Sequence, residues 1–138
     1  MQEFTILRDG APALLIEATQ KAQIESRGST GDAQHRWHEV VVYELAAGGW
    51  VASVGYRSTW QAETDGHNSA FEAGVLADLI VELQGVNATE HLLGRPERSE
   101  AEEKHNKPHN QILRDGLRRR WDRLISDLCK MLGVVEVR

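Results

Sequence analysis

The stretch Trp37–Trp60, WHEVVVYELAAGGWVASVGYRSTW, decides the fold. Apolar residues alternate with other residues on both sides of an Ala-Ala-Gly-Gly interruption, which is the pattern of two antiparallel strands joined by a tight turn. A turn centred on Ala47-Gly48 pairs Leu45 with Trp50 and predicts one shared core face. That face would carry Val41, Tyr43, Leu45, Trp50, Ala52 and Val54. The opposite face, with Val40 and Val42, is expected to be partly covered and is the first indication of an interaction surface.

The segments on either side of this hairpin have different patterns. Asp9-Gly10 lies between short apolar runs and predicts an N-terminal hairpin, because this dipeptide supplies the positive φ angles of a tight turn. After Ser69 the apolar spacing becomes helical, and Ser69 with Glu72 forms a capping-box pattern. The predicted helical stripe consists of Phe71, Val75, Leu76, Leu79, Ile80 and Leu83.

A last helical pattern begins at a second capping box, Ser99 with Glu102, and ends at Gly133. Pro108 lies inside it, where its ring and missing N–H disturb a helix. The sequence is therefore consistent with one kinked helix from about 99 to 132 or with two helices that meet near Asn106. The alternating tail, residues 134–138, is expected to add an edge strand.

Strands come first and helices last, which favours an α+β fold. We predict an N-terminal antiparallel β-meander of about four strands, packed by two or three C-terminal helices in two layers. A chain of 138 residues has the usual length of one domain, so residues 1–138 are expected to form a single domain.

Composition limits the environment and the class of partner. The single cysteine, Cys129, cannot form an internal disulfide, and no apolar run has the length of a membrane span, so a cytoplasmic protein with no membrane partner is expected. Cys129 lies near a predicted helix C-terminus, where the dipole does not stabilise a thiolate. The net charge of −5 and pI near 5.7 argue against general nucleic-acid binding.

Two histidine-containing segments are candidates for metal sites. Glu63, Asp65 and His67 occupy alternate positions, but Gly66 and the neighbouring polar residues favour a turn. His105 and His109 have the spacing of two zinc ligands on a helix, yet Pro108 lies between them and the glutamate of the zincin motif is missing. The sequence also lacks the usual nucleophile and phosphate-binding motifs. We therefore expect no metal, no cofactor and no catalytic residue.

The hairpin ends carry the predicted binding residues. Trp37 and Trp60 lie at these ends, and tryptophan is enriched at the centres of protein contacts, although core anchoring is the alternative for both. The predicted protein-binding residues are Arg36, Trp37, Arg57, Trp60, Glu63 and Asp65. They suggest a small non-enzymatic protein-binding module, such as an adaptor, an assembly subunit or an inhibitor of a larger macromolecular complex. Its partner would be another protein or a second copy of the chain.

A basic segment in the last helical pattern gives an alternative. Arg119, Arg120 and Arg123 project away from the leucine stripe or flank it, as contacts to a DNA or RNA backbone would require. On this alternative the chain is a nucleic-acid-binding accessory protein. A solvated helix face, partly neutralised by Asp115, Asp122 and Asp127, is the simpler explanation of the same charges.

Overall fold

The computed structural model describes residues 1–63 and 66–134. Its centre is an antiparallel five-stranded sheet in which each strand pairs with the next along the chain. The strands are β1 (Gln2–Ile6), β2 (Leu14–Glu25), β3 (Arg36–Leu45), β4 (Trp50–Ser58) and β5 (His67–Ala73). The predicted α+β class with an antiparallel meander is confirmed, with five strands rather than about four.

The helical segments are α1 (Asp32–His35), a 3-10 turn (Gln61–Glu63), α2 (Leu76–Gln84) and α3 (Glu100–Leu132). Helices α2 and α3 pack on one face of the sheet and bury the larger cluster of apolar side chains, called here the first core. Its largest fully buried members include Trp121, Leu79, Leu83, Leu128, Val40 and Val42.

Helix α3 is continuous through Pro108, so this segment forms one helix rather than two. Pro108 is exposed, which places the interruption of the hydrogen-bond ladder beside solvent. Both predicted caps are present: the Ser99 hydroxyl accepts from the Glu102 N–H at 3.1 Å, and Gly133 adopts a left-handed φ of 68°.

The predicted register of the central hairpin is wrong by one residue. Trp50 pairs with Glu44 rather than Leu45, and Val54 pairs with Val40 rather than Val41. The reason is the turn, in which Gly48 N–H donates to the Leu45 carbonyl and Leu45 N–H donates to the Gly49 carbonyl. Both glycines have positive φ, and the loop is one residue longer than a two-residue turn.

This shift reverses the predicted faces of β3. Val40 and Val42 point toward the helices, whereas Val41, Tyr43 and Leu45 lie on the other face with Val51. That other face is not open, because the sheet curls and the N-terminal hairpin contributes Ile6 and Ile16 to a second core. The members of the second core are Ile6, Ile16, Ala18, Tyr43 and Val51.

Strand β2 contributes to both cores. The register with β3 shifts between Gln20 and Ala22, which marks a bulge. A bulge adds one residue to one strand and therefore exchanges the faces of the residues that follow it. Ala18 accordingly belongs to the second core, whereas Ala22 belongs to the first.

The prediction that a helix starts at Ser69 is also wrong. Ser69 pairs with Val54 inside β5, and α2 begins only at Leu76. Phe71 still packs against the first core, but from the sheet. Asp65 and residues 135–138, with the predicted edge strand, lie outside the described residues.

Candidate functional site

An enclosed ion pair joins the two ends of the central hairpin. Arg36 begins β3 and Glu63 ends the 3-10 turn after β4, and each is only 6% exposed. The Arg36 Nε atom lies 3.0 Å from both carboxylate oxygens of Glu63. The Tyr56 hydroxyl donates to Glu63 Oε1 at 2.7 Å. This set of three side chains is called the Arg36–Glu63 network.

The network reaches two further segments. Arg36 also pairs with Asp32 of α1 and donates from Nη2 to the Leu93 carbonyl at 3.2 Å. The Leu93 N–H in turn donates to Glu63 Oε2 at 3.4 Å. Buried charges with several hydrogen-bond partners hold their neighbours in one geometry. The loop at Leu93 is thereby fixed to the end of the hairpin.

The surroundings change the proton affinities of the network. Burial acts to lower the pKa of Arg36, but hydrogen bonding and charge from Glu63 and Asp32 outweigh it and raise the pKa above its ordinary value. Burial raises the pKa of Tyr56, and the hydrogen bond to Glu63 raises it further. Arg36 therefore stays charged and Tyr56 stays a hydrogen-bond donor at neutral pH.

Above this network lies an open groove of about 600 Å³, called the Trp60 groove. Its apolar lining comes from Trp60, Leu93 and Leu113, and its basic lining from His35, Arg95 and His109. Trp60 is 46% exposed and Leu93 is 54% exposed. Large apolar side chains thus stand accessible in a concave surface, the usual form of a binding site.

The indole of Trp60 is held although it is exposed. Its ring centroid lies 5.1 Å from that of His35, and the Arg36 guanidinium carbon lies 5.4 Å from it. The preceding residue, Thr59, donates its N–H to the His35 carbonyl at 2.8 Å and its hydroxyl lies 2.7 Å from His35 Nδ1. Trp60 therefore offers its surface to a partner, and its side chain loses little further conformational entropy on binding.

The opposite wall of the groove is clamped to α3. Asn110, which is 2% exposed, accepts from the Arg95 N–H and donates to the Arg95 carbonyl, both at 2.8 Å. Gly94 runs so close to Asn110 that a Cβ at this position would collide with the carboxamide. Glycine is required here by close approach rather than by its φ angle.

The uncompensated charge around the groove is positive. Its two lining carboxylates, Asp32 and Glu63, both pair with Arg36, and Asp32 lies 3.4 Å from an Arg120 nitrogen as well. Among the described residues, Arg95 forms its hydrogen bonds through the backbone only. The groove is therefore a locally basic surface on a chain of net charge −5.

The structure divides the predicted protein-binding residues between two faces. Arg36, Trp60 and Glu63 meet at the Trp60 groove, as described. Trp37 and Arg57 pair across the opposite face of the sheet, where Arg27 lies 4.2 Å over the Trp37 ring and Arg57 donates to Asn68 at 2.8 Å. The five of these residues that the structure describes do not form one contiguous surface, and Asp65 lies outside the described residues.

The three arginines of the nucleic-acid alternative also differ from one another. Arg119 and Arg123 are exposed on α3. Arg120 is half-buried and contacts both the Asp32 carboxylate and the Arg36 carbonyl at 3.4 Å. Arg120 therefore fixes α3 to the start of β3 and is less available to a phosphate than its two neighbours.

Sequence reasoning missed Leu93, Asn110 and the role of Tyr56. Asn110 had a detectable signal, because it lies seven residues before Leu117 and so interrupts the apolar stripe of α3 with a polar residue. Tyr56 looked like one more residue of the inward face of a strand. Leu93 lies in a connection that carries no pattern.

Within residues 1–63 and 66–134, no group of three or more His, Cys, Asp or Glu side chains is placed to hold a metal ion. His67 instead contacts Asp9 at 3.0 Å, and His109 lines the Trp60 groove. Cys129 is buried. No helix of the described chain is long and apolar enough to cross a membrane.

Comparisons of the chain with protein-family models, with curated proteins and with solved structures each find no significant match, so its function has to be inferred from the residues themselves.

Proposed function

We propose that this chain is a protein-binding module whose Trp60 groove receives a short segment of another protein. The segment would place an apolar or aromatic side chain between Trp60 and Leu93 and an acidic side chain near Arg95. The observation that carries the proposal is Trp60 itself, 46% exposed yet held against His35 and Arg36. Exposed tryptophans in rigid surroundings are typical centres of protein contacts.

The size and chemistry of the groove support a peptide segment. A volume of about 600 Å³ is enough for several side chains, and its apolar residues lie beside basic ones. The acidic side chains of the groove are already paired with Arg36. An acidic residue of the partner would therefore meet Arg95 without a competing carboxylate among the described residues.

The rigidity of the groove supports the same proposal. Both walls are tied to the scaffold, one through Leu93 and the Arg36–Glu63 network and the other through Asn110. A preformed surface loses less conformational entropy on association than a mobile one. Binding is therefore expected with little change of backbone in the chain.

Nucleic-acid binding through the basic face of α3 is the competing proposal. Arg119 and Arg123 remain exposed and favour it, but the engagement of Arg120 with Asp32 removes one of its three residues. The acidic net charge also opposes it. We rank it second.

The test is selection from a display library of random seven-residue peptides. The selected peptides are then synthesised and titrated into the protein, with binding measured by isothermal calorimetry. We expect the selected peptides to contain an apolar or aromatic residue next to Asp or Glu. Trp60→Ala should weaken binding by about 2 kcal/mol, the size of a contact hot spot. Trp37→Ala is the matched control, because it removes the same side chain from the opposite face and should leave the affinity unchanged.

Three outcomes would contradict the proposal. If the selected peptides bind the Trp60→Ala variant as tightly as they bind the unmodified chain, the groove is not the binding site. Loss of binding in Trp37→Ala alone would move the contact to the outer face of the sheet. Oligonucleotide binding that weakens steeply with salt and requires Arg119 and Arg123 would replace the proposal with its competitor.

The identity of the partner protein and a cytoplasmic location stay predictions. The single buried Cys129 is compatible with a reducing compartment. If light scattering shows a dimer that Trp60→Ala converts to a monomer, the partner segment belongs to a second copy of this chain.

A further inference from the structure

Strand β5 forms an edge of the sheet. It pairs with β4 along its whole length, and no described strand lies on its other side. Only the N-terminal hairpin touches that side, where the Asp9 N–H donates to the Asn68 carbonyl at 2.9 Å. The rest of β5 therefore has an open side.

The bond from Asp9 shows which backbone groups face this open side. The N–H and C=O groups of one strand residue point in the same direction, and the direction alternates along the strand. Since the Asn68 carbonyl points away from β4, the N–H and C=O groups of Ala70 and Glu72 do so as well. Within the described chain, no hydrogen bond from another segment reaches the backbone of these two residues.

The central hairpin gives the same result independently. The Leu45 N–H donates to the Gly49 carbonyl and the Thr59 N–H donates to the His35 carbonyl, so the odd-numbered residues of β4 bond to β3. Its even-numbered residues therefore bond to β5, where their partners are odd-numbered. The even-numbered residues of β5 are left on the open side.

This open side is one wall of a groove of about 330 Å³, called here the β5 groove. The opposite walls come from the N-terminal hairpin, through Arg8 and Ala11, and from the segment after α2, through Glu90 and His91. Exposed sheet edges of this kind bind extended peptides, which add to the sheet as a further strand.

Strand β5 lacks the features that usually prevent such pairing. Its sequence, HNSAFEA, contains no Lys, Arg or Pro, and its register with β4 has no bulge. The part of β2 that extends beyond its pairing with β1 is different, since it carries both a bulge and Lys21. The sheet thus protects that edge and leaves β5 available.

The charges around the groove restrict the partner. Glu72 and Glu90 are exposed, and neither has a Lys or Arg partner among the described residues. Asp9 adds a third carboxylate, while the guanidinium of Arg8 is turned to the Pro12 carbonyl and donates to it from Nε and Nη2. The groove is therefore locally acidic, and a segment with basic side chains complements it.

The two faces of an added strand would meet different surroundings. On the helix side the β5 groove adjoins a cleft of about 250 Å³, which has apolar walls from Val54, Phe71 and Val86. On the other face the added strand would lie beside Ala70 and Glu72. Side chains alternate between the faces of a strand, so a matching segment alternates apolar with basic residues.

We propose that the open edge of β5 binds an extended segment of another protein, in which apolar residues alternate with Lys or Arg, as an additional antiparallel strand. The antiparallel direction follows the other pairs of the sheet, all of which are antiparallel. This site is separate from peptide binding at the Trp60 groove and does not depend on it.

The probe is the synthetic peptide acetyl-Val-Lys-Val-Lys-Val-amide. Its two lysines would lie opposite Ala70 and Glu72 and exchange backbone hydrogen bonds with them. Titration followed by ¹H–¹⁵N NMR should show saturable shifts for the amides of these two residues, with a dissociation constant on the order of 0.1 mM. The acidic peptide acetyl-Val-Glu-Val-Glu-Val-amide should bind about tenfold more weakly, because its carboxylates meet those of the groove.

Two methylated forms of the probe test the backbone bonds. N-methylation of both lysines removes the N–H groups that face β5 and should weaken binding about tenfold or more. N-methylation of the second and third valines is the matched control, since it adds the same two methyl groups to nitrogens that face solvent. This control peptide should bind like the probe.

Two variants of the chain test the location. Glu72→Pro removes an outward N–H without breaking a bond to β4, as proline at a sheet edge allows, and should abolish binding. Glu72→Ala loses the same charge but keeps the N–H, so it should retain binding within about fivefold. Trp60→Ala should bind the probe like the unmodified chain. Circular dichroism checks that each variant is folded.

Several results would overturn the proposal. Shifts that do not saturate, or that lie at the Trp60 groove, would show that β5 is not the docking edge. Equal affinities of the two methylated peptides would exclude backbone bonds to β5, and weaker binding of the valine-methylated peptide would exclude the antiparallel register. Equal binding of the acidic peptide would remove the basic partner. A dimer in light scattering that the probe dissociates would assign the edge to a second copy of this chain.

Discussion

The Tyr56 hydroxyl donates a hydrogen bond of 2.7 Å to Glu63 Oε1, and this bond joins the Trp60 groove to a second cleft on the helix side of the sheet. Tyr56 lines this second cleft together with His38 and Phe71, whereas Glu63 lines the Trp60 groove. Tyr56 thus lines one surface and supports the other through its hydrogen bond to Glu63. Its removal is expected to affect stability and groove geometry together.

Tyr56→Phe deletes this donor while Arg36 continues to pair with Glu63. We expect the free energy of unfolding to fall by about 2 kcal/mol, because a buried hydrogen bond to a charged group is stronger than a neutral one. Urea unfolding monitored by circular dichroism measures the change. Tyr43→Phe is the control, since Tyr43 is buried in the second core and its hydroxyl forms no hydrogen bond with the described residues. Equal losses in the two variants would show that the Glu63 bond contributes nothing of its own.

Gly94→Ala places a methyl group against Asn110 and should displace the Arg95 wall of the groove. We expect a loss of stability of about 1–3 kcal/mol, typical of overpacking, together with weaker peptide binding. Gly74→Ala is a suitable control, because a Cβ there meets no atom within 4 Å. Thermal unfolding and peptide titration of both variants check the prediction. If Gly94→Ala binds peptide as well as Gly74→Ala, the wall does not have to be rigid.

Val54→Asp should unfold the chain, whereas Ser53→Asp should not. Val54 is 6% exposed in the first core, so the new carboxylate would be buried without a partner. Ser53 is adjacent but points to the other face of the sheet and is half-buried. Circular dichroism of the purified variants distinguishes them. Similar tolerance of both changes would mean that the faces of β4 are wrongly assigned.

His38 should make stability depend on pH. In the unfolded chain its pKa is near the ordinary value of 6.5, and in the folded chain burial lowers the pKa to about 4. As pH falls from 6.5 to 4 the unfolded state takes up the proton first, so the folded state loses stability, by up to about 3 kcal/mol. His38→Phe should lack this contribution. Urea unfolding between pH 7 and pH 4 tests it, and parallel pH profiles for the two proteins would rule it out.

The central hairpin shows how far a single sequence predicts this fold. Alternating apolar residues located both strands, because the pattern depends only on which residues avoid water. The register failed because Gly48-Gly49 permits loops of either two or three residues, and the run Val40–Val42 is apolar on both faces. With a core on each side of the sheet, hydrophobicity cannot choose between the two registers.

The candidate site was predictable only in part. Arg36 and Trp60 were expected near each other because antiparallel pairing brings the ends of a hairpin together. Leu93 lines the same groove and Asn110 holds its Arg95 wall, both through contacts between segments far apart in sequence, which local patterns do not encode. Ser69 and Glu72 have the spacing of a helix cap, yet pairing with β4 overrides that preference.

The bulge in β2 affects how the protein unfolds. Residues before it are packed with the N-terminal hairpin and residues after it with the helices, so one strand is shared by both hydrophobic clusters. Unfolding of the N-terminal hairpin would leave β3 without its neighbouring strand β2 and would expose Ala22, which packs beneath α3. We therefore expect the hydrogen-bonded amides of β2 on both sides of the bulge to exchange with deuterium through a single cooperative opening, with the same free energy of opening.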